Sequence, residues 1–98
     1  IKDSASHLEN CFPIAPEVGI GQDERGIYHV MSMTAGDRPG LLYSIARVLV
    51  NYRINVHTAK INTLGERAED VFLLSGDVLN DPKAVVRLEA DLLEALAL

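Results

Sequence analysis

The amino-acid sequence predicts an α+β fold: a two-layer sandwich with a four-stranded antiparallel sheet and two helices on one of its faces. Three observations carry this expectation. Several segments alternate apolar and polar residues with period 2, the repeat of a half-buried strand. Two segments repeat apolar residues at i, i+3/i+4 and i+7, a one-sided helical stripe. Clusters of Gly, Pro and Asp separate these segments and give the order β-β-α-β-β-α.

Residues 1–11 (IKDSASHLENC) are polar and without period, and read as a linker or tail; residues 12–98 read as one domain. Apolar residues then fall on alternate positions, at Phe12, Ile14, Val18 and Ile20. Pro13 and Pro16 cannot donate to a ladder, so 12–16 is edge-like and the better strand is 17–22. GQDERG (21–26) is a turn cluster, and 27–35 is the second strand. The short connection makes the two a hairpin. Its expected place is the sheet edge.

AGDRPG (35–40) interrupts the strand pattern. Leu41, Leu42, Ile45, Val48, Leu49 and Tyr52 then form a helical stripe. Pro39 suits a first turn, and Asp37 is placed to cap the free amides there. No glycine follows this helix, and of Asn51 and Arg53 the left-handed closing position suits Asn51 better. Residues 54–64 read as one strand, with Ile54, Val56 and Thr58 on one face and His57, Ala59 and Ile61 on the other. Gly65 and Glu66 make a turn, and 68–75 is the next strand. GDVLND (76–81) is a loop. Asp81 followed by Pro82 starts the second helix, a capping carboxylate before proline at the first helical position. Val85, Leu88, Leu92, Ala95 and Leu96 supply its stripe.

The expected core is Met31, Met33, Leu42, Ile45, Leu49, Phe72, Leu74, Leu88 and Leu92. The opposite sheet face carries Val30, Val71 and Leu73, too apolar for plain exposure. That face, or the edge strand 54–64, is expected to meet another domain or chain.

Composition narrows the function. Ninety-eight residues fit one domain. A net charge of −5 argues against the basic stripe that nucleic acid requires, and equally against a charge-held seat on anionic lipid. The apolar runs are too short to span a membrane. One cysteine, Cys11, forms no internal disulfide and suits a reducing cytoplasm. The chain begins at Ile1 with no signal pattern, as a piece of a longer protein would. His7, His29, His57 and Cys11 lack metal-ligand spacing. There is no GxSxG, Walker loop or dinucleotide fingerprint, and Gly19-Ile20-Gly21 is a strand-end pair with no helix after it. The residues present therefore suggest no catalytic centre and no cofactor in this chain.

Two strings carry a resemblance. Asp37-Arg38-Pro39-Gly40-Leu41-Leu42, followed by Ile54-Asn55-Val56, resembles the ACT domain, a small ferredoxin-like regulatory module that binds amino acids. Ala59-Lys60-Ile61-Asn62-Thr63-Leu64-Gly65-Glu66-Arg67-Ala68-Glu69-Asp70-Val71-Phe72 is similar, more narrowly, to the C-terminal ACT domains of the bifunctional uridylyltransferase/uridylyl-removing family that modifies the nitrogen-signalling PII protein. The similarity covers residues 16–96. It implies a glutamine-sensing module whose Mg2+-dependent catalytic domains lie elsewhere in the parent, in the cytoplasm. It also implies a neighbouring ACT domain, in the same chain or in a homodimer, and PII as a partner reached through the parent. The usual ACT order is βαββαβ; here the chain ends in a helix, and the strand before residue 27 is expected to fill the sheet position of the missing last strand.

Three sets of residues are candidates under that resemblance. Asp37, Arg38, Pro39, Gly40, Leu41 and Leu42 surround a helix N-terminus, whose free amides and partial positive charge suit a ligand carboxylate. Gly40 permits close approach to backbone, and Asp37 could pair with an ammonium or an amide. The plainer alternative is a cap and a packing glycine. Asn55 and His57, on the edge strand, could contact a ligand shared with a neighbouring domain; the alternative for His57 is a surface histidine. Glu66, Arg67, Glu69 and Asp70 could dock onto catalytic domains, or form a solvated turn whose charges contribute little.

Overall fold

Strands β1 (Glu17–Gln22) and β2 (His29–Gly36) form the expected antiparallel hairpin, with Glu17 opposite Thr34 and Gln22 opposite His29. The turn between them closes on Asp23, whose Oδ1 accepts from the amides of Ile27 at 2.9 Å and Tyr28 at 3.3 Å. This is a computed structural model that describes residues 14–97. The expected tail at 1–11 and the residues Phe12 and Pro13 lie outside the described residues.

After β2 come helix α1 (Leu41–Asn51), strands β3 (Asn55–Lys60), β4 (Thr63–Leu64) and β5 (Arg67–Ser75), a 3-10 turn at Asp77–Asn80, and helix α2 (Pro82–Leu96). The sheet order is β1-β2-β5-β3, with the two-residue β4 also on β5. All pairings are antiparallel. β1 thus occupies the outer position beside β2, as the missing last strand would. The fold is an ACT-like, ferredoxin-like α+β sandwich with five strands where four were expected. The fifth is a consequence of one break. The strand expected over 54–64 is interrupted at Ile61 and Asn62, because Asn62 turns its backbone onto β5. Its carbonyl accepts from the Glu69 amide at 2.8 Å and its amide donates to Asp70 Oδ1 at 3.0 Å.

A second irregularity corrects the expected faces of β3. The register shifts between Val56 and Thr58, a bulge that takes His57 out of the ladder. Val56 and Ala59 therefore sit opposite Leu74 and Phe72, on the same face, while Thr58 pairs with Leu73 on the other.

The core lies between one sheet face and both helices. Met31, Met33, Ala35, Ala68, Phe72 and Leu74 supply the sheet side; Leu41, Ile45, Leu49, Leu88, Leu92 and Leu96 supply the helices. Leu42 does not join it and is 46% exposed. The stripe on α1 runs Leu41, Ile45, Leu49, four residues apart, and the next residue along lies about 100° around the helix.

Two end assignments also change. Gly40, left-handed at φ 81°, is the N-cap of α1, and no side chain caps that end, so Asp37 is not a cap. At the other end Arg53, at φ 57°, takes the left-handed position in place of Asn51, which is still helical. Arg53 and Ile54 amides return to the carbonyls of Val50 and Leu49 at 2.9 Å each, the paired closure of a Schellman motif. Asp81 caps α2 as expected, its Oδ1 accepting from the Lys83 amide at 3.1 Å.

Candidate functional site

The loop from β2 to α1 is held at three points. Asp37 donates its amide to the Glu66 carbonyl at 2.8 Å, which ties the loop to the β4–β5 turn. Arg38 reaches across to the end of α2, where Nη2 donates to the Ala95 carbonyl at 2.7 Å. That contact satisfies a carbonyl in the last turn of α2 with a cation, the charge that a helix C-terminus favours. Gly40 then turns the chain into α1, with the Leu41 amide on the Arg38 carbonyl at 3.2 Å.

A cavity of about 240 Å³ opens beneath this loop. Its walls come from the loop and first turn of α1, from Ile61 and Thr63 at the broken edge strand, and from Ala68 and Asp70 on β5. That size is below the roughly 300–1,000 Å³ of sites for drug-sized ligands and suits a small metabolite. No side chain caps α1 at Gly40, and the start of the helix, from Gly40 to Tyr43, lines the cavity.

Asp70 was expected in a surface charge cluster. Instead its side chain is buried, at 2% exposure. The cause is strand parity. Ala68, Asp70, Phe72 and Leu74 alternate onto the inner face of β5, so Asp70 takes a core position. One carboxylate oxygen accepts from Asn62; the other, Oδ2, is buried and has no hydrogen-bond partner among the described residues. The same holds for one further buried side-chain atom, Arg38 Nε. A lone acceptor and a lone donor of opposite charge thus belong to two residues lining one cavity.

The remaining expected site residues lie elsewhere. Pro39 and Leu42 stay with the loop, both exposed. Asn55 stands opposite Ser75, at the far end of β5 from Arg67 and the loop. Eight residues of strand separate the ends, more than 20 Å at about 3.3 Å per residue. Asn55 and His57 therefore do not join Asp37–Leu42 within one chain, and a ligand shared between them would need a neighbouring domain. His57 is held locally: its Nε2 lies 2.6 Å from Ser75 Oγ and its ring 4.7 Å from that of Tyr28. Arg67 and Glu69 form an exposed ion pair at 3.3 Å. Among the described residues no three His, Cys, Asp or Glu side chains cluster to hold a metal ion.

Two further contacts had no sequence signal. Arg38 meets Ala95 across 57 residues. Tyr52 donates its hydroxyl to Asp91, joining α1 to α2, and this bond to a carboxylate, helped by burial, raises the phenol above its ordinary value of 10.0.

Fold and cavity together define a small ACT-like α+β module with a loop-covered cavity at the N-terminus of its first helix. Comparison with known proteins is more specific. The chain is 56% identical over 96 residues to the bifunctional uridylyltransferase/uridylyl-removing enzymes of Burkholderia orbicola (strain MC0-3) and Burkholderia lata, and 55% identical to that of Burkholderia vietnamiensis. In each case 98% of this chain is covered, but the chain spans only 11% of the relative's length. It therefore corresponds to one small part of such an enzyme. Among solved structures, an unknown protein from Galdieria sulphuraria shares the fold, with a TM-score of 0.58 and 27% identity over 68% of this chain and 37% of that one. No family model matches the chain.

Proposed function

We propose that this chain is the amino-acid-sensing regulatory domain of a bifunctional uridylyltransferase/uridylyl-removing enzyme that acts on the PII protein, and that its ligand is glutamine. The observation that carries the reading is the 56% identity across nearly the whole chain to one small part of these enzymes. The catalytic work, with its Mg2+, belongs to the other domains of the parent in the cytoplasm. Among the described residues no helix is long and apolar enough to cross a membrane. The ligand's place is the cavity under residues 37–42, where helix amides favour a carboxylate. Binding there would brace the loop against β5 and the end of α2, and that bracing is the signal passed to the rest of the enzyme. Glu66, Arg67 and Glu69, on the neighbouring turn, are the residues proposed to dock on the catalytic domains.

The test is a melting series of the chain with each of the twenty amino acids. A ligand at a hundredfold excess over Kd stabilises by about 2.7 kcal/mol, which at ~4–8 °C per kcal/mol is roughly 10–20 °C. Glutamine should give this shift, and glutamate less, because a second carboxylate would stand near Asp37 and Asp70. A second reading is a pairing module with no ligand of its own. It is favoured by the sheet face away from the helices, where Val71 is 41% exposed, and by the edge strand β3, every residue of which is exposed. Stabilisation by no amino acid would leave that reading in place.

A further inference from the structure

We propose that Asp70 is the buried anchor for the α-ammonium of a free amino acid in the cavity, with Arg38 Nε facing the ligand's carboxylate. The inference rests on the amino-acid-sensing reading and deepens it by assigning the two ends of the ligand.

Buried carboxylate oxygens are almost always hydrogen-bonded, and those that are not call for an explanation. Asp70 is 2% exposed, and only one of its oxygens is satisfied, by the Asn62 amide at 3.0 Å. A carboxylate needed only to hold the strand break at Asn62 would do so with one oxygen, as an asparagine would. The second oxygen is buried without a partner, on a residue that lines the small cavity at the start of α1.

Charge decides what fits. A buried anion calls for a cation with N–H donors. The described residues offer no third metal-ligating group, which disfavours a bare metal ion. On the loop wall Arg38 spends Nη2 on Ala95 and Nη1 on Pro39, leaving Nε buried and unpartnered. An unused anionic acceptor, an unused cationic donor and a helix N-terminus match the ammonium and carboxylate of a zwitterion. A neutral amide or a simple carboxylic acid would satisfy only part of the set.

The experiment compares L-glutamine with 4-carbamoylbutanoate, which has the same skeleton with hydrogen in place of the α-ammonium. Both are titrated calorimetrically into the native chain and into Asp70→Asn. Asparagine keeps an oxygen for the Asn62 amide, and melting without ligand checks the fold. The native chain should prefer glutamine by at least tenfold. Asp70→Asn should weaken glutamine roughly 10- to 150-fold, the range for a charged hydrogen bond, and leave 4-carbamoylbutanoate nearly unchanged. In the native chain the Asp70 Cγ resonance should move with glutamine and not with its analogue, a readout that survives if the variant fails to fold. Glutamine binding to a folded Asp70→Asn within threefold of native, or a static Cγ resonance at saturation, overturns the assignment and leaves the sensing reading standing. A native chain that binds none of the twenty amino acids overturns both.

Discussion

Leu49 and Leu42 provide the sharpest test of how α1 sits on the sheet. Both belong to the apolar stripe read from sequence, yet Leu49 is 2% exposed and Leu42 46%. Leu→Ala removes three carbons. At full burial their transfer is about 2.4 kcal/mol, using ~0.8 kcal/mol per methylene. Leu49 sits within a continuous core that includes Ile45, Leu74 and Leu88, so a residual cavity adds to that cost. The total should fall within the ~2.7–5.0 kcal/mol seen for buried leucines. Leu42, half in water, should lose about half the transfer term and leave no closed cavity, near 1 kcal/mol. Urea unfolding of Leu49→Ala and Leu42→Ala, followed by circular dichroism at fixed protein concentration, measures the difference. An m-value equal to native would confirm that the two states compared are the same. Equal losses for the two variants, or a larger loss for Leu42→Ala, would show that α1 is rotated from the position described and would refute the helix–sheet packing.

Three other outcomes follow from particular contacts. Asp37→Ala should change stability by less than about 0.5 kcal/mol, since Asp37 is exposed and caps nothing; a loss of 1 kcal/mol or more in thermal unfolding would restore it as a cap. Asp81→Ala should cost about 0.5–2 kcal/mol, because its side chain does accept from the Lys83 amide; an unchanged urea midpoint would show that this cap is idle. Tyr52→Phe should be less stable than native, with a gap that depends on pH in one direction. The folded phenol is raised above 10.0 by its bond to Asp91, so the folded state holds the proton more tightly. The advantage is whole below pH 10 and shrinks as pH rises through the folded value. Unfolding midpoints from pH 7 to 11 should show a constant gap that then narrows, and a gap that widens above pH 10 would contradict the bond.

Much of the architecture was legible because it depends on local rules. The two-residue alternation of Val18 and Ile20, the Asp81-Pro82 start and the four-residue spacing on α2 all hold in the structure. The errors came where a rule competes with a tertiary contact. The 54–64 strand breaks because Asn62 bonds to Glu69 and Asp70 across the sheet, and no periodicity announces that. Asp37 looked like a cap because Asp before a helix usually is one, but its amide is pinned to Glu66 and the chain turns at Gly40 instead. Arg53 rather than Asn51 closes α1 because the buried Leu49 and Ile54 set where the helix must end.

Asp70 differs from these cases, since the signal for it was present. Phe72 and Leu74 were both assigned to the core, and a strand repeats every two residues. The same parity that buries Phe72 and Leu74 also buries Asp70 and Ala68. Reading Glu66, Arg67, Glu69 and Asp70 as one charged cluster overrode that parity, because adjacent charges usually share a solvated turn. The structure divides the group: Arg67 and Glu69 pair in solvent, while Asp70 faces the core. A carboxylate that a strand's own alternation drives inward, at the single polar position among the buried residues of the sheet, is costly to keep unless something uses it. The sequence offered the loop at 37–42 either as a ligand site with Asp37 as a contact or as a plain cap, and Asp37 is exposed. The burial of Asp70 moves the expected anion inward, to a site where desolvation strengthens any ammonium contact. Under the proposed reading the two carboxylates would take different parts: Asp37 at the rim would repel a glutamate side chain, and Asp70 inside would hold the group common to every amino acid.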